Sequence, residues 1–99
     1  MNVFWTDRAF DHLVQIREHL RLTSVVYAER AVERLVARSE QLAAFPLSGR
    51  RVPEYARDDL REVQEQPYRL IYRVVGPDRL DVLAVVHSRR RLPDEAEDL

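Results

Sequence analysis

The chain has no cysteine and no lysine, and only two glycines, in 99 residues. Without cysteine there is neither a disulfide framework nor a thiolate nucleophile. That fits a reducing compartment, and a cytoplasmic protein is the expectation. Without lysine, amine-based mechanisms fall away, including Schiff-base chemistry and the lysine of a phosphate-binding loop. The glycines, Gly49 and Gly76, are too few and too far apart for a glycine-rich phosphate cradle. No run approaches the ~18 apolar residues of a membrane span, and the first residues do not resemble a signal peptide, so no membrane partner is expected. The histidines His12, His19 and His87 are not grouped in sequence. No metal-ligand spacing exists, and neither a metal nor a small-molecule cofactor is expected.

What the chain has is arginine. All sixteen of its basic residues are arginine, and a net charge of −1 conceals how unevenly they are spread. Between Leu60 and Arg91 seven arginines meet only Glu62, Glu65, Asp78 and Asp81. Asp94, Glu95, Glu97 and Asp98 then crowd the last residues. The length suits one domain, read as 1–92, followed by an acidic tail at 93–99 with too little apolar surface to order itself.

The pattern of apolar residues dictates the elements. Met1 to Trp5 reads as a short strand. Phe10, Leu13, Ile16 and Leu20 recur at helical spacing and predict a helix over about 7–21, with Thr6 or Asp7 as its cap. Thr23 and Ser24 can cap a second helix, whose apolar positions run from Ala28 to Ala43; Pro46 stops it near Ala44. Residues 45–59 read as a loop, with Phe45, Leu47, Val52 and Tyr55 as candidates to pin it. Three strands follow. In Tyr68–Val74 strict alternation puts Tyr68, Leu70, Tyr72 and Val74 on one face and Arg69, Ile71 and Arg73 on the other. Gly76, Pro77 and Asp78 make a turn, and the run Leu80–His87, apolar on both faces, reads as a central strand. The order β-α-α-β-β-β predicts an α+β fold: a helical hairpin packed on one face of a small, twisted, mainly antiparallel sheet, with the opposite face partly open.

Four strings, LAAFPLSGRRVPE at 42–54, LREV at 60–63, YRLIYRVV at 68–75 and VLAVVHSRR at 82–90, resemble in order and spacing the RelE/ParE superfamily of type II toxin–antitoxin toxins. The FPLSGRRVPE loop and the HSRR ending look more like the ParE branch. The resemblance implies a toxin that inhibits DNA gyrase by direct binding, is not itself an enzyme, and is neutralised by a cognate antitoxin protein. An alternative within the superfamily is a RelE-like endoribonuclease that cuts messenger RNA on the ribosome; a degenerate, non-toxic binding module is another. RelE-like members draw on lysines and a C-terminal tyrosine, which this chain lacks. If it were such an RNase, Arg69, His87 and Arg90 would be its catalytic candidates.

As binding residues for target or antitoxin, Arg61, Arg69, Arg73, Arg89, Arg90 and Arg91 stand out as a basic patch. Arg50, Arg51 and Glu54 are loop candidates, since loops carry function disproportionately. A shared face for Arg61, Arg69 and Arg73 is expected from their odd numbers, subject to the strand register.

Overall fold

In the computed structural model, which describes residues 1–99, the chain opens with β1 (Asn2–Trp5). Thr6 then starts a helix. Its hydroxyl accepts the Ala9 N–H at 3.1 Å and so satisfies an amide that the first helical turn leaves unpaired. Asp7 lies in that turn, where the helix dipole favours a carboxylate. The helix α1 spans Asp7–Arg21 as its spacing predicts. Ser24 repeats the device, accepting the Tyr27 N–H at 3.1 Å to open α2 (Val25–Gln41). This helix stops short of Ala44, because residues 42–44 tighten into turns whose amides bond three residues back.

The sheet has five strands where four were expected. After α2 come β2 (Arg50–Arg51), β3 (Leu60–Glu65), β4 (Tyr68–Gly76) and β5 (Arg79–His87). Their order is β1-β5-β4-β3-β2, with β1 parallel to β5 and all other pairs antiparallel. The extra strand, β2, falls inside the expected loop; two residues are too short to show a period. The middle strand is β4; β5, expected to be central, lies inside the sheet between β4 and the short β1. The chain reverses after Gly76, which stays in β4 and does not use the positive φ open to glycine.

The helices cover one face, as predicted. Ala9, Leu13, Leu35 and Leu42 pack there on Tyr68, Leu70, Tyr72, Val82 and Val85. Phe10, expected in this core, is 57% exposed instead: the buried stripe runs through Ala9, Leu13 and Ile16, and its neighbour in sequence is rotated off it.

The opposite face is less open than expected. Val52, Leu60, Ile71, Ala84, Val86 and Leu92 form a second buried cluster, with Tyr55, Ala96 and Leu99 packed against it. The terminal segment, expected to fray, ends in a short 3-10 turn (Ala96–Asp98). Three contacts hold it: the Tyr55 hydroxyl donates to Pro93 O at 2.7 Å, Arg57 meets Glu97 at 3.2 Å, and Arg8 donates to the carbonyl oxygens of Asp98 and Leu99. No helix is long and apolar enough to cross a membrane.

Candidate interaction surfaces

The register decides where each arginine points. Arg69 lies opposite Gln64 and Glu62 opposite Ile71, so odd positions of β4 share a face with even positions of β3. Arg69 and Arg73 therefore lie on the face of the second cluster. Arg61 pairs with Tyr72 and lies on the helix face, which corrects the expectation of one shared patch. Along β4, Tyr68 and Arg73 are roughly 17 Å apart, so the arginines after β5 are also remote from Arg61 and Arg73.

Arg69 is not a free cation. It is 7% exposed and held by two carboxylates. Its Nη1 meets Glu54 Oε2 at 2.8 Å, its Nη2 meets Glu54 Oε1 at 2.9 Å, and Nε and Nη2 also reach the fully buried Glu62. Arg50 Nη2 and Gln64 Nε2 complete the shell around Glu62 Oε2, at 3.1 and 3.0 Å. The hydrogen bonds Arg69 donates to Glu54, and then those to Glu62, hold the guanidinium above its usual value against the opposing effect of burial, and Arg69 in turn pulls the Glu54 carboxyl below its own. The loop candidate Glu54 is thus tied to the sheet by a β4 arginine. Arg51 pairs at the surface with Asp58 at 3.1 Å, and Arg61 donates to Gly49 O at 3.0 Å and Asp58 O at 3.2 Å.

The loop itself is pinned from an unexpected direction. Val52 and Tyr55 anchor it as predicted, but Phe45 and Leu47 are 69% and 62% exposed. Their anchoring role passes to Tyr72, fully buried in β4. Its hydroxyl donates to Pro46 O at 2.8 Å and accepts the Gly49 N–H at 3.0 Å. Burial raises the phenol above its usual value, so it remains a donor at neutral pH. Tyr72→Phe leaves a buried amide and a carbonyl without that partner. Urea unfolding should show a loss of about 1–3 kcal/mol. A loss below about 0.5 kcal/mol would mean that water replaces the hydroxyl at no penalty.

At the other end of the sheet the chain leaves β5 through a tight turn. Arg90 N–H donates to His87 O at 2.9 Å, and His87 Nδ1 accepts the Arg89 N–H at 3.1 Å, as an aspartate side chain does in a turn. Arg91 pairs with Asp94 at 3.3 Å, both fully in water. Arg73, Arg89 and Arg90 are exposed and have no carboxylate within 4.0 Å. His87 pairs with Tyr68 on the helix side, whereas Arg69 pairs with Val86 on the other. The sheet thus separates Arg69 from His87, and the three RNase candidates do not converge on one site.

What does converge at His87 escaped the sequence reading. His12 and His19, at i, i+7 on α1, line one cleft with Tyr68, His87 and Arg90. The available signal was His12, Gln15, Ile16 and His19 at i, i+3, i+4, i+7. It was legible as one helix flank but not as a neighbour of a strand end.

The helical hairpin leaves much apolar surface in water. Phe10 and Val14 share the flank of α1 that sends Arg17 to Glu29 of α2 at 2.7 Å, and both are at least two-fifths exposed. Leu22, Val25, Val26 and Tyr27 are exposed around the hairpin turn. Isolated apolar residues on a surface are ordinary, but a group this dense at one turn fits a partner surface. The sheet also ends in the two-residue strand β2, whose outer edge has no strand partner.

The sequence profile of the family described as "ParE toxin of type II toxin-antitoxin system, parDE" matches residues 3–92. Among solved structures, the chromosomal ParDE system from P. aeruginosa superposes with a TM-score of 0.73 at 23% identity, covering 88% of this chain and 95% of that one. A YoeB/ParE toxin from Agrobacterium tumefaciens gives 0.63 at 20% identity, covering 88% and 98%. A search of curated proteins gave no match.

Proposed function

Because the chain belongs to the ParE toxin family of type II toxin–antitoxin systems, we propose that it is a toxin that binds and inhibits DNA gyrase and is held inactive by a cognate antitoxin. The family match over residues 3–92 is the observation that carries this reading. The internal use of Arg69 speaks for the gyrase branch over the ribosome-dependent RNase. A guanidinium already bonded to two carboxylates is poorly placed to stabilise a phosphoryl transition state. The RNase candidate His87 also lies across the sheet from it. Inhibition by binding needs a surface, not a proton-transfer set.

The antitoxin is assigned to the exposed hairpin surface around Phe10, Val14, Val25 and Val26, and to the free edge beyond β2, by helix-in-groove docking and strand addition. Arg73, Arg89 and Arg90, exposed and without carboxylate partners, are the cations assigned to partner contact; Arg69 is withdrawn from that role. Purified toxin added to gyrase and relaxed plasmid should stop supercoiling, and prior mixing with antitoxin should restore it. Normal supercoiling at a large molar excess of toxin, together with cleavage of ribosome-bound message, would overturn the reading.

A further inference from the structure

The cleft that gathers the histidines lies between α1 and the ends of β4 and β5 and holds about 300 Å³. That is at the small end of ligand sites. Its chemistry is one-sided. β1 pairs with β5 only as far as Val82, so the outer edge of β5 beyond it lacks a strand. The side chain of His12 fills that gap: its Nδ1 accepts the Val85 N–H at 3.2 Å. A neutral imidazole that accepts at one nitrogen carries its proton on the other. His12 is therefore an Nε2–H donor. Burial, then the cations of Arg90 and Arg8, pull its imidazole below the usual value and keep it neutral; the opposing pull of Asp11 is the weakest of the four influences.

His87 is fixed the same way. Its Nδ1 accepts the Arg89 N–H, so it too presents Nε2–H. Arg90 adds a guanidinium with no carboxylate partner. Burial raises the Tyr68 phenol, which stays protonated. No carboxylate lines the cleft. Nor are three histidines and carboxylates close enough together to hold a metal ion. Backbone amides thus set two histidine tautomers so that both are donors beside an unpaired arginine. Ile16, Tyr68 and Val85 supply the apolar part of the lining, a wall in which the Tyr68 ring meets the His87 ring edge-on with centroids 6.0 Å apart.

We propose that this cleft is a binding site for a mononucleotide, with Arg90, His12 and His87 donating to its phosphate and the base lying on the wall of Ile16, Tyr68 and Val85. A compact ligand fits better than a polyanion. The cleft's volume of about 300 Å³ is that of a small-ligand site, not of a groove that tracks an extended backbone. The proposal does not rest on gyrase inhibition.

The test is an amide NMR titration of the full chain with adenosine 5′-monophosphate, read at the Val85 and Arg89 amides that donate to the two histidines. Saturable shifts at both are expected. Inorganic phosphate should shift the same amides more weakly, and adenosine should shift neither. Arg90→Gln, at an exposed position, should weaken binding roughly tenfold, the loss of a charge-assisted contact, while Arg91→Gln should change it by less than about twofold. Absence of shifts at about 10 mM nucleotide, equal losses in the two arginine variants, or tighter binding of a single-stranded oligonucleotide than of the mononucleotide would each overturn the proposal.

Discussion

Arg69→Met should destabilise the fold by about 3 kcal/mol at pH 7, the low end of the range for breaking a buried ion pair. The low end applies because Arg50 and Gln64 still hold Glu62 after Arg69 is gone. For a domain with ~5–15 kcal/mol in all this is a large fraction, and the midpoint of thermal unfolding should fall by roughly 12 °C or more. The cause is the stranded Glu62, a fully buried carboxylate losing its closest cation. A second contribution comes from Glu54. In the parent chain Arg69 holds that carboxyl below its ordinary 4.5, so its contribution is present above that value and is lost as pH falls through the lower, folded one. The gap between parent and variant therefore narrows in acid. Urea unfolding at pH 7 and pH 4 measures it. A gap independent of pH would show that Arg69 acts by packing alone. The double variant Glu62→Leu/Arg69→Met removes the stranded charge and should recover most of the loss at pH 7.

Gly49→Ala should be nearly as damaging, by about 3 kcal/mol, the upper part of the usual range for overpacking. Gly49 does not occupy a positive φ; its requirement is space. A Cβ there would lie 2.5 Å from the Glu62 carbonyl oxygen and 2.6 Å from the Tyr72 hydroxyl. The hydroxyl can be removed, but the carbonyl belongs to β3, paired on both sides by β2 and β4. The double variant Gly49→Ala/Tyr72→Phe should therefore not rescue the fold. Hydrogen exchange offers a local reading. The Val52 N–H, bonded to Leu60 O at 3.1 Å, should lose protection before the amides of α1 do. Unchanged stability in Gly49→Ala would mean that the loop stands off the sheet.

These two residues mark the limit of what the sequence discloses. Both helices, their capping residues Thr6 and Ser24, and the alternation of β4 were legible, because each rests on residues a few positions apart. The family strings were legible for the same reason. The roles of Gly49 and Arg69 were not. Gly49 lies inside the expected loop, and the atoms that crowd it belong to β3 and β4. Arg69 read as part of a basic patch, and its neutralisation by Glu54 and Glu62 depends on contacts across a loop and a strand pair. The cleft at His87 was hidden likewise, since His12 and His87 meet only where α1 crosses the free edge of β5.

Short-range periodicity and capping chemistry are properties of a segment, and the sequence alone settled them: two amphipathic, capped helices and an alternating strand that carries arginines. Strand register is a property of pairs of segments. It sent Arg61 to one face and Arg69 to the other, and it set His87 apart from Arg69. Whether a guanidinium is a docking cation or an internal counter-ion depends on which carboxylates the folded chain brings within about 3 Å of it, and only the tertiary structure decided that.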